Sequence, residues 1–173
     1  MTISTRDAFG VAAIVWRRPH PDAAASAFEL LITHPGAPLF AGQDLGAWLF
    51  PTQEHTATST RESDLVETAL RALDDATGLL VETVALPLGE IITADGYRLI
   101  AFAFEADSEP PRAHLPPQLR MEWPAHSGFE LAFPAVDAAA FVLSDEAGVR
   151  LYPSQREFVT RLVQLLSSQE SVS

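Results

Sequence analysis

The sequence predicts an α/β fold in which helices are layered on a mixed β-sheet. Three observations support this prediction: short runs rich in β-branched and aromatic residues, two segments with apolar residues at helical spacing, and the alternation of strands with these helices along the chain. A length of 173 residues without an internal repeat predicts one domain, 1–173, with an ordered core at about 8–167.

Strands dominate the first third of the chain. Composition predicts three of them, at 9–16, 28–33 and 47–50. The first two are joined as a hairpin across a proline turn at positions 19–22, and Pro51 ends the third. Residues 34–45 contain two prolines and two glycines and are predicted to be loop, and residues 52–60 form a long polar loop.

The first helix is predicted at about 61–77. Ser59 is expected to cap it, with Glu62 three residues later as the capping-box partner, and Gly78 ends it in the left-handed conformation. Its apolar residues recur at helical spacing and predict one buried face: Leu65, Val66, Ala69, Leu70 and Leu73.

The second half of the chain predicts three more strands and one helix. Two strands, at 81–92 and 97–105, flank the Asp95-Gly96 hairpin turn. A short strand at 139–143 follows the segment 110–117, which contains four prolines. Tyr152 and Pro153 lead into a last helix at about 154–167, on the other face of the sheet, with a frayed tail after it. One side of that helix is apolar: Phe158, Val159, Leu162, Val163 and Leu166.

Charge and composition exclude several classes of partner and chemistry. A net charge of -12 with only 11 Lys and Arg disfavours binding to a nucleic-acid polymer, which needs a basic face. The absence of cysteine excludes disulfides and thiol chemistry. The apolar run at 9–16 is too short to cross a bilayer, so no membrane partner and a cytoplasmic location are expected. Monomer and homodimer both remain open.

The end of the first predicted helix carries a recognisable motif. Residues 71–79 read Arg-Ala-Leu-Asp-Asp-Ala-Thr-Gly-Leu. The Nudix box ends in arginine, glutamate, an aliphatic residue, any residue, two glutamates, any residue, glycine and an aliphatic residue. The sequence resembles the Nudix hydrolase family at four of these positions: Arg71, Leu73, Gly78 and Leu79. The resemblance implies a Nudix α/β/α sandwich, in which Arg71, Leu73 and Gly78 are structural.

The acidic positions of the box are mostly not acidic here. Ala72 and Ala76 stand where the family has glutamates, and Asp75 stands at the third such position. Asp74 occupies a position that the motif leaves free. The resemblance is therefore to a degenerate Nudix box.

The front half of the box can be aligned in two ways. Strict spacing places Ala57 on the motif's glycine and Ser63 on its glutamate. Alternatively, Pro-Thr-Gln-Glu at 51–54 resembles the family's entry to the loop, with Gln53 replacing the glycine and Glu54 retained. Arg71 then follows Gln53 by 18 residues instead of 14, which predicts a longer and more mobile loop.

Segments outside the box resemble one bacterial Nudix subgroup, described as predicted nucleoside triphosphate pyrophosphohydrolases. The similarity covers residues 8–165 and includes these stretches: His-Pro-Gly-Ala-Pro-Leu-Phe at 34–40, Asp-Leu-Gly-Ala-Trp at 44–48, Met-Glu-Trp-Pro at 121–124, Ser-Gly at 127–128, and Phe-Pro-Ala-Val-Asp at 133–137.

The resemblance implies hydrolysis of a nucleoside diphosphate derivative with Mg²⁺ or Mn²⁺ held by clustered carboxylates. Glu54 and Asp75 are then the catalytic candidates, and Asp75 with Glu67 the metal ligands. The alternative for Glu67 is an i,i+4 ion pair with Arg71. Because two helix acids are alanine, we expect weak or absent activity. A non-catalytic domain that binds a nucleotide-like ligand or a protein, and an active enzyme with this sparse metal set, are the other hypotheses.

Aromatic and histidine residues allow two interpretations. Trp48 and Trp123 can stack on a nucleobase or pack in the core. His34, His55 and His126 show no metal-ligand spacing, and we expect them to be polar surface without a catalytic role.

Overall fold

The computed structural model describes residues 8–19, 27–56 and 58–172. Six strands form the main sheet: β1 (Phe9–Arg17), β2 (Glu29–Pro35), β3 (Thr52–Glu54), β4 (Leu86–Ile92), β5 (Arg98–Glu105) and β8 (Val136–Leu143). Two strands form a separate hairpin: β6 (Gln118–Glu122) and β7 (Glu130–Pro134). Three α-helices complete the described chain: α1 (Glu62–Thr77), α2 (Ser144–Arg150) and α3 (Arg156–Glu170).

The main sheet is mixed, as the sequence predicts. Its strands run in the order β4-β5-β1-β2-β8, and β3 pairs with the first half of β1. β1 and β5 are parallel, whereas the other pairs are antiparallel. The hairpin between β4 and β5 turns at Asp95-Gly96, which confirms that prediction.

Two hydrophobic cores cover the two faces of this sheet. Successive side chains of a strand point to opposite faces, so β1 contributes to both cores. One face of β1 packs with α1 through these residues: Val11, Ala13, Val15, Leu65, Ala69 and Leu73. The other packs with α3: Ala12, Ile14, Trp16, Phe158 and Leu162. The predicted α/β/α arrangement, with the two long helices on opposite faces, is confirmed.

Several predicted strand boundaries are wrong. Residues 47–50 form only two isolated bridges, Thr33 with Leu49 and Trp48 with Leu151. β4 begins at Leu86 because residues 81–85 turn away from the sheet, and β8 begins at Val136, three residues earlier than predicted. The proline turn proposed at 19–22 lies mostly outside the described residues, as does Ala57.

The hairpin β6–β7 and the short helix α2 were not predicted. In β6, apolar residues alternate with polar ones at the period of a strand, but the run is short and the neighbouring prolines obscure it. Helix α2 contains a glycine and buries only Ala147, so it has almost no apolar face to recognise. The predicted turn at Ser127-Gly128 connects β6 to β7.

Helix ends were predicted less well than helix positions. The capping box is wrong: α1 begins after Arg61, and the Ser59 hydroxyl donates to the Asp64 carboxylate instead of capping the helix. The tail after residue 167 is also wrong, because α3 continues to Glu170, and Val163 is exposed. In the described part of the chain, no helix combines the length and apolarity needed to cross a membrane.

The predicted end of α1 at a left-handed Gly78 is confirmed. Gly78 has φ +71° and its N–H donates to the Asp74 carbonyl oxygen at 2.7 Å. A side chain at Gly78 would also meet His114, whose Nδ1 lies 2.6 Å from the position of an added Cβ atom. His114 Nε2 lies 2.8 Å from the Asp75 carbonyl oxygen, so the 110–117 loop closes over the helix end.

Gly78→Ala is therefore expected to lower the free energy of unfolding more than Gly96→Ala. Both glycines have positive φ, for which alanine costs about 1–2 kcal/mol, but nothing lies within 4 Å of a Cβ atom at Gly96. The clash with His114 should add about 1–3 kcal/mol at Gly78 alone. Equal losses in urea unfolding of the two variants would contradict the contact with His114.

Candidate functional site

Glu67 lies on the exposed surface of α1 and makes an ion pair. Its Oε1 is 3.1 Å from Nη2 of Arg71, one helical turn later. Both side chains are more than half exposed, so solvent screens the pair and it contributes little to stability. Of the two alternatives for Glu67, the structure shows the i,i+4 pair.

The three candidate acids are not brought together. Glu67 and Asp75 are eight residues apart on α1, which is about 12 Å along the helix axis. Glu54 lies in β3 opposite Gly10, on the face of the sheet away from α1. Within residues 8–19, 27–56 and 58–172, no group of three or more His, Asp or Glu side chains is arranged to hold a metal ion.

The two alanines of the box face the protein instead of the solvent. Ala72 is only 3% exposed, whereas Ala76 lines a cavity of about 640 Å³ together with Thr77, His114 and Asp137. A hard divalent cation requires several oxygen ligands, and methyl groups at these two positions supply none. The residues present therefore do not fit a Nudix-type metal site.

His55 fixes the start of the loop between β3 and α1. The side chain is buried, and its Nδ1 lies 2.9 Å from the Thr68 hydroxyl and its Nε2 2.7 Å from the Ser59 carbonyl oxygen. A carbonyl oxygen can only accept, so Nε2 donates to Ser59, and in the neutral imidazole Nδ1 then accepts from the Thr68 hydroxyl. The expectation that His55 is polar surface is therefore wrong. The predicted loop at 52–60 is also shorter than expected, because residues 52–54 form strand β3.

His34 is also buried, which corrects the second histidine expectation. Its Nδ1 lies 2.7 Å from Oδ1 of Asp137 and its Nε2 lies 2.7 Å from the Gln43 carbonyl oxygen. Trp48 packs edge-on against this ring and donates its indole N–H to Asp44 at 2.9 Å. Trp48 thus belongs to the core, as one of its two interpretations proposed. His126 is exposed in the β6–β7 turn.

A large groove opens on the α3 side of the sheet, at the end where β1 begins. We call it the tyrosine groove; its volume is about 1060 Å³, and its lining includes Leu49, Thr52, Ile92, Tyr97, Tyr152 and Arg161. Tyr152 is 48% exposed, and Tyr97 is partly buried. Gly10 is required beneath Tyr97, because an added Cβ atom would lie 2.9 Å from the Tyr97 hydroxyl oxygen.

Glu54 stands beside this groove. Burial raises the pKa of Tyr97, and the negative charge of Glu54 raises it further, since both disfavour the phenolate. Thr52, two residues before Glu54 and on the same face of β3, lines the groove itself. Of the candidate acids, Glu54 is therefore the one that is close to a cavity with aromatic walls.

The guanidinium group that lines the groove is already engaged. Arg161 donates to Glu157 at 2.5 Å and to the carbonyl oxygens of Leu88 and Glu90, each at 2.9 Å. With Asp95 also on the rim, carboxylates outnumber guanidinium groups there.

Sequence reasoning missed both tyrosines as site residues. They are the only two in the chain, and each stands at the boundary of an element: Tyr97 after the Asp95-Gly96 turn and Tyr152 before Pro153. Aromatic residues at such boundaries are often placed at a cleft, but which boundaries meet depends on the topology. That convergence is visible only in the folded chain.

Comparison with known proteins identifies the fold. No protein-family model matches the sequence, and no curated protein matches it. Among solved structures, a C. elegans Ap4A hydrolase in a binary complex aligns with 92% of this chain and 98% of its own, at 9% identity and a TM-score of 0.59. The Nudix hydrolase RenU from M. smegmatis aligns with 92% of this chain and 86% of its own, at 19% identity and a TM-score of 0.52.

A third structure shows the same fold in another setting. The C-terminal domain of mouse MUTYH, in complex with human PCNA, aligns with 97% of this chain and 92% of its own, at 14% identity and a TM-score of 0.52. At these identities the likeness concerns the fold alone. The chain therefore has the Nudix fold, an α/β architecture with a mixed sheet between helices.

The placement of Glu54 next to Tyr97 predicts a measurable titration. In a Tyr152→Phe background, Tyr97 is the only tyrosine, and its ionisation can be followed by ultraviolet absorbance. Glu54→Gln should lower the pKa of Tyr97, because it removes the nearby negative charge while burial remains.

The same shift predicts a pH dependence of folding. Because the pKa of Tyr97 is raised in the folded state, the folded protein favours the neutral phenol. The stability that this preference contributes is complete below the pKa of an unfolded tyrosine, about 10, and is lost as the pH rises through the folded-state pKa. Glu54→Gln should therefore weaken the alkaline loss of stability. An unchanged Tyr97 titration would show that Glu54 does not face the groove.

Proposed function

We propose that this chain binds a nucleotide-like ligand and that its metal-dependent diphosphate hydrolysis is weak or absent. The observation that carries the second half is the state of α1: alanine at positions 72 and 76, the first buried and the second lining a cavity. Nudix hydrolases are the relatives by fold, so a pyrophosphohydrolase is the activity from which this chain would depart.

The chemistry explains why these two positions matter. A diphosphate brings several negative charges, and divalent metals neutralise them and generate the attacking hydroxide. Without carboxylates at 72 and 76, Asp75 is the one acid left at the three acidic positions of the motif on α1. Losing groups that stabilise a transition state typically costs several kcal/mol, and each 1.36 kcal/mol is about tenfold in rate. We therefore expect hydrolysis to be slower by orders of magnitude.

The tyrosine groove supports the ligand-binding half of the proposal. Ligand sites are concave, mostly apolar and about 300–1,000 Å³ in volume, with a few polar groups that fix orientation. The groove matches this description, and the exposed ring of Tyr152 offers a face on which a planar base can stack. Asp95, exposed on the rim, supplies an acceptor for an amino group.

The charges of the groove favour the base over the phosphates. Arg161 is held by the Glu157 carboxylate and by two carbonyl oxygens, so it does not offer its full charge to a phosphate. A polyphosphate would also face the excess carboxylates of the rim. In the absence of metal, we expect adenosine to bind at least as tightly as ADP, and ADP more tightly than ATP.

An active hydrolase is the competing hypothesis, with Mg²⁺ or Mn²⁺ held by Glu54, Glu67 and Asp75. The axial separation of Glu67 and Asp75 and the ion pair with Arg71 both disfavour it. Fold does not decide between the two hypotheses, because one fold carries many functions. The relatives by fold include an Ap4A hydrolase and a MUTYH domain in complex with PCNA.

The first test measures hydrolysis and its restoration. We expect the unaltered protein to release little or no phosphate or nucleoside monophosphate from nucleoside diphosphate derivatives with Mg²⁺ or Mn²⁺. Ala76→Glu should fold normally, because position 76 lines a cavity, and should bind Mn²⁺ more tightly in calorimetry. Ala72→Glu should destabilise the fold by about 3–5 kcal/mol without metal, because it buries a carboxylate.

The outcome that contradicts weak hydrolysis is specific. It is robust Mg²⁺-dependent turnover by the unaltered protein that Asp75→Asn abolishes. That result would assign the sparse carboxylate set to catalysis and leave the groove as the substrate site of an enzyme.

The second test measures binding at the groove. Adenosine is titrated into the protein with and without Mg²⁺, and the affinity should not depend on the metal. Tyr152→Ala should weaken binding by about 1–3 kcal/mol, the range for stacking of a base on an aromatic ring. Leu80→Ala serves as the control, since Leu80 is exposed and lies outside the groove. Equal affinities in the two variants would exclude Tyr152 from the site.

A further inference from the structure

The outer edge of β8 is open. Of the described strands, only β2 pairs with β8, so the opposite edge has no partner strand within residues 8–19, 27–56 and 58–172. The Ser144 N–H donates to the Phe28 carbonyl oxygen, so the backbone groups of Ser144 point toward β2. Because backbone groups alternate in direction along a strand, those of Ala139, Phe141 and Leu143 point away from β2. Residues 138–143 contain neither charge nor proline, two of the features that usually protect an edge strand.

The hairpin β6–β7 precedes β8 directly and has one apolar face. Its register places six apolar side chains on that face: Leu119, Met121, Trp123, Phe129, Leu131 and Phe133. Phe129 is 74% exposed and Leu119 48%. An isolated two-stranded hairpin is marginally stable in water, and an exposed apolar patch of this kind usually marks a contact surface.

We propose that residues 118–143 form the interface with a second copy of this chain. The β8 strands of the two copies pair antiparallel across a twofold axis at Ala140 and join the two sheets into one. Each hairpin then emerges beside the end of the other copy's β8, where Leu143 is half exposed, and lays its apolar face on that copy.

The register about Ala140 is self-complementary. It sets Ala140 opposite its own copy, the large Phe141 opposite the small Ala139, and Asp137 opposite Leu143. Asp137, the one charged residue of β8, thus never faces its own copy: the two lie six residues apart along the paired strands, about 20 Å. That distance exceeds the screening length of about 8 Å at physiological salt, so the two charges barely interact.

The position of the surface also fits a second copy. A twofold interface uses the same patch on both copies, as this strand and its adjoining hairpin can. β4 forms the opposite edge of the sheet, so dimerisation leaves the tyrosine groove open and does not depend on the proposed function.

Charge gives this dimer a recognisable salt dependence. Each copy carries a net charge of -12, so two copies repel at long range, and added salt should strengthen their association. A basic protein partner on the same surface would show the reverse dependence. The copy and the basic partner are therefore distinguished by the direction of the salt effect.

Analytical ultracentrifugation of the full chain tests the interface. We expect a monomer–dimer equilibrium that shifts toward dimer with salt, and at least a ~10-fold rise in Kd for Ala139→Lys and for Phe129→Ser. The matched controls are Ala94→Lys, which makes the same charge change in the β4–β5 turn at the opposite edge of the sheet, and Leu80→Ser, at a residue as exposed as Phe129. Neither control should change Kd.

A cross-link tests the register. The chain has no cysteine, so Ala140→Cys introduces a single thiol at the proposed axis. The directly opposed Cα atoms would be about 4.5 Å apart, within reach of a disulfide, and mild oxidation should give a covalent dimer. Ala94→Cys, at the opposite edge of the sheet, should remain monomeric on a denaturing gel. A chain that stays monomeric at all salt concentrations, or a dimer that none of these substitutions affects, would overturn the proposal.

Discussion

The architecture depends on β1 being buried on both faces. Residues 11–15 of this strand are fully inaccessible to solvent, and neighbouring side chains alternate between the α1 core and the α3 core. A strand of this kind needs backbone partners on both edges and a helix on each face, because every buried amide must be hydrogen-bonded. β5 pairs along one edge, and β2 and β3 share the other. The groove, the α1 loop and both long helices are all positioned relative to this strand.

Strong periodicity explains what the sequence could predict. The apolar run of β1 and the helical spacing of Leu65, Ala69 and Leu73 each point to one structure, and the Asp95-Gly96 turn has few alternatives. The failures occur where local signals compete. Ser59 followed by Glu62 satisfies the capping-box pattern, but the Ser59 hydroxyl bonds to Asp64 and the helix begins after Arg61. A local pattern does not show whether a hydroxyl will accept from a backbone N–H of the helix or donate to a nearby carboxylate.

The candidate site was less predictable because it is assembled from distant segments. The motif correctly drew attention to α1, but the buried state of His34 and His55 arises from contacts across the sheet and the helix that spacing along the chain does not encode. The tyrosine groove joins residues near 49–52, 90–99 and 152–161, which meet only through the order of the strands. The approximate positions of the main elements could be read from the sequence, whereas their convergence required the fold.

The energetics of α1 connect this architecture to the proposed function. Alanine has the highest helix propensity and no polar atom to desolvate, so Ala72 stabilises a helix that packs on the sheet without help from a bound cation. A glutamate in the same place would bury a carboxylate, which is unfavourable unless a metal or an arginine compensates it. Arg71 points to solvent and pairs with Glu67, so it provides no such compensation. In this chain, the helix that resembles a catalytic element carries alanine at two of the three acidic positions of the motif, and the groove with open aromatic surface lies on the opposite face of the sheet.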